Sequence, residues 1–187
     1  MSEFDIAIIP VLQHEGGYVN NSNDPGGATN YGISLRWLSK QGDLAGDIDN
    51  DGDIDIDDIK QMSMNDAIAL YHQHFWEPYQ YDSIKSQQIA NKVFDLTVNM
   101  GAKQSHKLLQ RALRSSGISI MDDGILGRIS FDAISRVKEN ELLAAYRSEA
   151  AGFYRSLIMR NAALREQGIQ VEDFSVFKKG WLNRAYA

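Results

Sequence analysis

The stretch HEGGYVNNSNDPGGATNYGIS, residues 14–34, decides how the rest of the chain is interpreted. It begins where an apolar helical pattern ends, and the pair Gly16-Gly17 favours a helix end because glycine readily adopts left-handed backbone angles. Glu15 is therefore predicted on the last turn of a helix with one apolar face, where burial would raise the pKa of its carboxyl group. Asp24 follows in a segment whose proline and glycines predict a turn rather than a helix.

Two carboxyl groups in different environments suit the hydrolysis of a glycosidic bond. That reaction needs a protonated acid for the leaving oxygen and an ionised carboxylate for the water or the oxocarbenium ion. Glu15 fits the first role and Asp24 the second, and Thr29 follows five residues later. Each feature alone is common, since a Glu at a helix end is usually solvated and Asp-Pro-Gly-Gly is usually only a turn. The interpretation therefore depends on the whole string.

The strings EGGY (residues 15–18) and DPGGATNYGI (residues 24–33) resemble the signature of glycoside hydrolase family 108, a family of phage endolysins and bacterial muramidases in the lysozyme superfamily. The order Glu, Asp, Thr is also similar to the triad of phage-type lysozymes, with the threonine about one residue early. The resemblance implies that Glu15 is the general acid, that Asp24 is the general base or electrostatic stabiliser, and that Thr29 orients a water.

The same resemblance implies residues that bind substrate. Three of them, Tyr18, Asn30 and Tyr31, belong to the string at residues 14–34. The fourth is Asn99, in the later string DLTVNMG (residues 95–101), whose D-x-x-x-N-x-G pattern is similar to that of the same family. An asparagine there could hydrogen-bond an N-acetyl group, although an ordinary helix cap explains the residue as well.

A second motif, DIDNDGDIDIDD at residues 47–58, has the spacing of an EF-hand-like calcium loop. Aspartates fall at loop positions 1, 3, 5, 7, 9 and 12, and Gly52 falls at position 6, where the turn requires it. A solvated acidic loop would not explain this spacing, so we expect a structural calcium ion and no catalytic metal. The predicted ligands are Asp47, Asp49, Asp51, Asp53 and Asp58. Aspartate at position 12 instead of glutamate leaves the preference between calcium and magnesium open.

Composition and charge narrow the classes of function. The 187-residue chain has no cysteine, which excludes disulfides, cysteine nucleophiles and cysteine-ligated zinc. Residues 1–90 carry 4 basic and 15 acidic residues, a net charge of −11, whereas residues 91–187 carry 15 and 10, a net charge of +5. A mildly basic half suits peptidoglycan, with its stem carboxylates, or an anionic outer-membrane surface, although a solvated helical surface explains it equally well. The acidic chain is a poor match for nucleic acid.

The N-terminus, MSEFD, is acidic, and no apolar run approaches the ~18 residues of a membrane span. We therefore expect neither a Sec-type signal nor a membrane helix. The protein would be made in the host cytoplasm and act in the periplasm or cell wall after release by a holin or another non-Sec route.

The remaining patterns predict helices. Ser34 and Ser63 have the positions of helix N-caps, and Pro78 is expected to close the helix that begins after Ser63. Residues 82–100 and 139–166 have apolar residues at helical spacing. Trp76 and Tyr79 could line a sugar subsite, but we interpret them as core. Pro10 falls within the first helix, which either kinks or begins there. The pattern at residues 105–134, a helix, a DGILG loop and a second helix, resembles peptidoglycan-binding modules. The aromatic tail at residues 174–184 is expected to pack onto the C-terminal part.

Together these observations predict a mainly α, lysozyme-like fold with a small β-hairpin or extended loop near the active site. Residues 1–90 would form the catalytic part, with the calcium loop at 47–58, and residues 91–187 a peptidoglycan-binding-like lobe packed against it in a monomer. The resemblance implies a muramidase that cleaves the β-1,4 bond between N-acetylmuramic acid and N-acetylglucosamine. The alternatives are a lytic transglycosylase and a non-catalytic wall-binding or secretion-associated protein of the same fold.

Overall fold

The computed structural model describes residues 2–14, 16–20, 27–41 and 46–187, and for His14 the backbone alone. The described residues are mainly helical and divide into two compact units, Ser2–Asp82 and Ser83–Ala187, which we call the N-terminal and the C-terminal unit. In this part of the chain no helix combines the length and the apolar character that crossing a membrane requires.

The N-terminal unit contains short elements. They are α1 (Phe4–His14), β1 (Thr29–Asn30), β2 (Ile33–Ser34), α2 (Leu35–Leu38), α3 (Ile56–Gln61), α4 (Met64–Tyr71), a π-helical turn (His72–Trp76) and 3-10 turns at Glu77–Tyr79 and Tyr81–Ser83. The predicted first helix continues through Pro10, and its residues Ile8 and Val11 are buried as the apolar pattern indicates. The helix that precedes the first motif is thus present, and its described part is Phe4–His14.

The two short strands form the predicted hairpin. Thr29 pairs with Ser34 and Asn30 with Ile33, and the turn between them has positive φ at Tyr31 (47°) and Gly32 (80°). Two consecutive residues with positive φ are typical of the hairpin turns that match the twist of their strands. Ser34 then caps α2 by accepting a hydrogen bond from the backbone of Trp37, as the sequence predicts.

The next two helices begin with reciprocal capping boxes. Asp55 and Asp58 cap α3, and Ser63 and Asp66 cap α4, so the prediction of Ser63 as an N-cap is confirmed. Beyond Tyr71 the sequence suggests a regular helix up to Pro78, but the structure has a π-helical turn there. That turn places Trp76 in the core, where it is almost fully buried.

The C-terminal unit consists of longer helices around one core. They are α5 (Gln87–Met100), α6 (Ala102–Ser115), α7 (Arg128–Ile134), α8 (Glu139–Glu166), a 3-10 turn (Phe174–Phe177) and α9 (Lys178–Tyr186). The bounds of α8 agree with the prediction, whereas α5 begins five residues later than expected, after Ser86 as its N-cap. The largest buried side chains include Phe94, Leu96, Leu108, Tyr146 and Tyr154.

The aromatic tail packs onto this unit, as predicted. Trp181 of α9 stacks on Tyr154 with ring centroids 5.3 Å apart, and Arg184 donates from Nε to the buried Asp95 carboxylate at 2.9 Å. Lys92, on the same face of α5, donates from Nζ to the Arg184 carbonyl oxygen. Burial lowers the pKa of Lys92 to about 8.

The DGILG loop between α6 and α7 is fixed by buried polar contacts. Gln110 donates to the Asp123 carboxylate at 2.8 Å and accepts from the Gly124 backbone at 2.8 Å, and His106 Nδ1 lies 3.1 Å from the Gly124 carbonyl oxygen. Gly124 has φ +82°, and a Cβ there would lie 2.7 Å from the Lys103 carbonyl oxygen, so only glycine fits. Packing against Lys103 therefore requires glycine at position 124, the first glycine of the loop.

The buried His106 predicts a dependence of stability on pH. Burial lowers its pKa to about 4, against 6.5 in an unfolded chain. The unfolded chain therefore binds a proton in the interval from about pH 6.5 to about pH 4 that the folded protein does not, and stability falls as the pH falls through it. His106→Asn keeps a donor for the Gly124 carbonyl but has no group that titrates in this interval. We therefore expect the free energy of unfolding of this variant, measured in urea, to fall by about 3 kcal/mol less than that of the wild type between pH 6.5 and pH 4. The exposed His72→Asn variant is the control, and equal slopes for His106→Asn and the wild type would contradict the prediction.

Candidate functional site

The predicted catalytic residues lie along one segment of the N-terminal unit. Glu15 and Asp24 lie outside the described residues, so their assignment stays a prediction. Thr29 is the first residue of β1, is half-buried, and its Oγ1 donates to the Gly27 carbonyl oxygen at 3.5 Å. The described residues around the two acids are the end of α1 up to His14, residues 16–20 between them, and the chain from Gly27 onward.

The segment after the first acid is attached to the hairpin. Val19 and Thr29 exchange two backbone hydrogen bonds of 2.8 Å and form an isolated antiparallel bridge. The bridge fixes Tyr18, whose side chain is 41% exposed, beside the strand that carries Thr29. An exposed ring at this place is available to the flat face of a sugar, which is consistent with its predicted role in substrate binding.

The turn of the hairpin is attached to α4. The Tyr71 hydroxyl donates to the Tyr31 carbonyl oxygen at 3.0 Å, and Tyr71 itself is buried. Tyr31 has a left-handed backbone, which is uncommon for a residue with a large side chain. The backbone of Tyr31 thus has a structural contact. The role of its half-buried ring in substrate binding stays a prediction.

The structure gives Asn30 a different contact from the predicted one. Its side chain is 6% exposed, and Nδ2 donates to the carbonyl oxygens of Ile59 at 3.0 Å and Met62 at 3.2 Å. Both carbonyls belong to the end of α3 and the residue after it. Because its amide donors are directed into the protein, Asn30 attaches the hairpin to α3.

Asn99 lies in the C-terminal unit, on the last turn of α5. It is exposed, and its Oδ1 accepts a hydrogen bond of 2.6 Å from the Tyr154 hydroxyl. Burial raises the pKa of Tyr154, so this hydroxyl stays a donor. Gly101 follows with φ +84° as the C-cap of α5, in agreement with the alternative that Asn99 belongs to a helix end.

The aspartate loop at residues 47–58 is closed by hydrogen bonds between its own carboxylates and backbone. Asn50 and Gly52 have positive φ, at 62° and 99°. The Asp47 carboxylate accepts backbone hydrogen bonds from Asp51 and Gly52 at 3.1 Å, which closes the turn. Asp51 in turn accepts from the Asp53 backbone at 3.1 Å. Carboxylates from several positions therefore point towards the inside of one loop.

Asp58 is the residue around which the loop is arranged. It is 1% exposed and accepts from the backbone nitrogens of Ile48 and Asp55 at 2.6 Å each and of Asp49 at 3.4 Å. Oxygen atoms of Asp47, Asp49 and Asp58 lie within 4.8 Å of one another. The same limit holds for Asp53, Asp55 and Asp58, so Asp58 belongs to both groups.

Two carboxylates of the loop, those of Asp49 and Asp53, have a raised pKa. Desolvation and the charge of Asp51 raise the pKa of Asp49, and the charge of Asp51 is the main cause of the raised pKa of Asp53. Oxygen ligands at these separations fit a hard divalent cation. Asp55 is absent from our predicted set of ligands although it falls at loop position 9, and its side chain also caps α3.

Two family models match successive parts of the chain, and the boundary between them falls after α5 rather than at Ser83. The family model of glycosyl hydrolase 108 matches residues 8–101, half of the chain. The chain belongs to glycosyl hydrolase family 108. A second model, described as a predicted peptidoglycan domain, matches residues 104–186. This member of family 108 is therefore a peptidoglycan-related glycoside hydrolase, as the two strings in residues 14–34 indicate.

A solved structure confirms the fold of this family member. The structure of Brucella abortus SagA matches with a TM-score of 0.71 at 23% sequence identity, and the match covers 97% of this chain and 88% of that chain. No protein among those with curated descriptions matches the chain. The mainly α, lysozyme-like fold with a small hairpin is thus shown, and it includes the predicted peptidoglycan domain.

The buried contact of Asn30 predicts a loss of stability on mutation. Asn30→Ala leaves the carbonyls of Ile59 and Met62 without their donor, and we expect a loss of about 2 kcal/mol in the free energy of unfolding. Asn183→Ala, on the exposed surface of α9, is the matched control and should change stability by less than about 0.5 kcal/mol. Equal stability of the two variants in chemical denaturation would show that the Asn30 contact does not hold the hairpin.

Proposed function

We propose that the protein is an endolysin-type N-acetylmuramidase that cleaves the β-1,4 bond between N-acetylmuramic acid and N-acetylglucosamine and thereby lyses bacteria. The observation that carries the proposal is the match to a glycoside hydrolase family over residues 8–101, which include the Glu, Asp, Thr string, followed by a peptidoglycan domain. Its substrate lies outside the bacterial cytoplasm, so the enzyme acts in the periplasm or cell wall.

Glu15 is the proposed general acid. In the sequence it directly follows His14 of α1, whose apolar residues Ile8 and Val11 are buried as the helical pattern predicts. The proposal keeps the expectation from that pattern, namely that burial raises the pKa of the Glu15 carboxyl group. The protonated group donates its proton to the glycosidic oxygen as the bond to the anomeric carbon breaks. Asp24, ionised in the turn-rich loop, then serves as general base for the attacking water or stabilises the positive charge on the sugar.

Thr29 is the proposed water-orienting residue. Its hydroxyl makes one contact of 3.5 Å to the Gly27 carbonyl, which is at the long limit of a hydrogen bond. The hydroxyl can therefore turn from that carbonyl to a water without losing a strong bond. The bridge to Val19 and the hairpin hold its backbone, which supports a role that needs a fixed hydroxyl.

We also propose that the loop at residues 47–58 binds a structural calcium ion. The support is the position of the carboxylate oxygens of Asp47, Asp49 and Asp58 within 4.8 Å of one another, and the positive φ of Gly52 where a calcium loop requires glycine. The ion would neutralise carboxylates that otherwise repel one another. Because many oxygens would surround it, the ion has a structural role and takes no part in bond cleavage.

The proposed acid predicts the effect of one substitution. Glu15→Gln removes the proton donor but keeps the size of the side chain, and we expect the rate of lysis of purified peptidoglycan to fall by ~10²-fold or more with an unchanged melting temperature. Glu77→Gln, at an exposed position of the N-terminal unit, is the control and should retain full activity. Lysis by a normally folded Glu15→Gln variant at the wild-type rate would disprove the role of Glu15.

Mass spectrometry of the soluble products tests the bond that is cleaved. Reducing N-acetylmuramic acid ends are expected from a muramidase. Anhydro ends would identify a lytic transglycosylase and give Asp24 a role in binding. Tight binding to insoluble peptidoglycan without any soluble product would identify a wall-binding protein that has kept the fold.

The proposed ion predicts an effect of chelation. A chelator should lower the melting temperature of the wild type, and added calcium should restore it, because the ion binds only the folded loop. Asp58→Asn keeps the shape of the side chain but removes a charge, so its melting temperature should respond to calcium much less. A wild-type melting curve that is the same with and without chelator would rule out the ion.

A further inference from the structure

The C-terminal unit has a groove of about 520 Å³ on its surface, between α6 and α8. Its apolar side chains are Leu108 and Phe153, one from each helix. The remaining lining is polar and charged. Two of its cations also touch the segment before α7, since Arg111 pairs with Asp122 and the stem of the Lys107 side chain lies beside Gly124.

Two cations line the groove without a hydrogen bond or ion pair to any of the described residues. They are Lys107 of α6 and Arg160 of α8. The third cation, Arg111, is held by Asp122 at 2.7 Å. The acid in the lining is Glu149, so the groove has more positive than negative charge and also offers one carboxylate.

A glycine lies in the middle of the groove. Gly152 is an interior residue of α8, where glycine is less favourable than alanine because it loses more backbone freedom. A Cβ at this position would meet no atom within 4 Å, so the packing of the chain does not require glycine. Ser148 and Ser156 lie one helical turn before and after it and also line the groove. The three small residues leave the helix backbone open to close approach from the groove.

We propose that this groove binds the stem peptide of peptidoglycan through the carboxylates of that peptide. Lys107 and Arg160 pair with the carboxylates, and Gly152 lets the extended peptide lie against α8. Glu149 faces an ammonium group where the stem carries one, and the half-buried Phe153 contacts the methyl groups of its alanines. The proposal deepens the function proposed above, since it rests on peptidoglycan as the substrate, and it gives the C-terminal unit a specific ligand.

The test uses stem peptides that an amidase has released from peptidoglycan, titrated calorimetrically into the full-length protein. The double variant Lys107→Gln/Arg160→Gln should bind them about tenfold more weakly than the wild type, since each charge contributes a modest share. Gly152→Leu should weaken binding by filling the groove. Lys85→Gln/Arg136→Gln is the control for the same change in charge, and Ala162→Leu is the control for added bulk on an exposed part of α8.

A second experiment distinguishes this proposal from the enzymatic one. It compares the cleavage of glycan strands that carry peptides with the cleavage of strands from which the same amidase has removed them. The double variant should cleave stripped strands at the wild-type rate but lose the preference of the wild type for strands that carry peptides. The proposal would be overturned if the folded double variant and Gly152→Leu both bound the peptides with wild-type affinity. It would also be overturned if the wild type digested peptidoglycan but did not bind the peptides. A wild type that binds the peptides but cleaves neither substrate would contradict the enzymatic function and leave the groove supported.

Discussion

The buried carboxylate of Asp58 is the constraint on which the N-terminal unit depends. A carboxylate removed from water needs hydrogen bonds or an opposite charge, and without them its burial costs several kcal/mol. Asp58 receives hydrogen bonds from the backbones of Ile48, Asp49 and Asp55, on both sides of the loop. These contacts fold the loop over the first turn of α3, because Asp58 is itself the third residue of that helix. The position of α3 and the closure of the loop are thus set by one side chain.

The same constraint reaches the proposed active site through α3. The carbonyl oxygens of Ile59 and Met62, at the end of α3, accept the two hydrogen bonds of the Asn30 amide. Asn30 directly follows Thr29 in the strand, so the threonine backbone cannot shift without moving the amide from its acceptors. Contiguous contacts therefore connect the aspartate loop with the residue proposed to orient the water.

Local signals in the sequence predicted much of this structure. The caps Ser34 and Ser63, the bounds of α8 and the need for glycine at position 52 follow from interactions within a few residues of one another. The role of Asn30 did not follow, because its acceptors lie 29 and 32 residues away and its place in the motif suggested a contact with substrate. The π-helical turn at His72–Trp76 was missed for a similar reason, since packing of Trp76 in the core outweighs the local helical pattern.

The hydrogen bonds of the aspartate loop explain why an ion there would be structural. The backbone donors orient the carboxylates of Asp47 and Asp58. Desolvation and the charge of Asp51 raise the pKa of Asp49, and the charge of Asp51 is the main cause of the raised pKa of Asp53. A proton on one carboxylate relieves the repulsion only in part, whereas a divalent cation can interact with all of them at once. Since these carboxylates are already fixed by the backbone, the proposed ion would add stability to the loop that positions α3. It would affect catalysis only through the contact of α3 with the strand that carries Thr29.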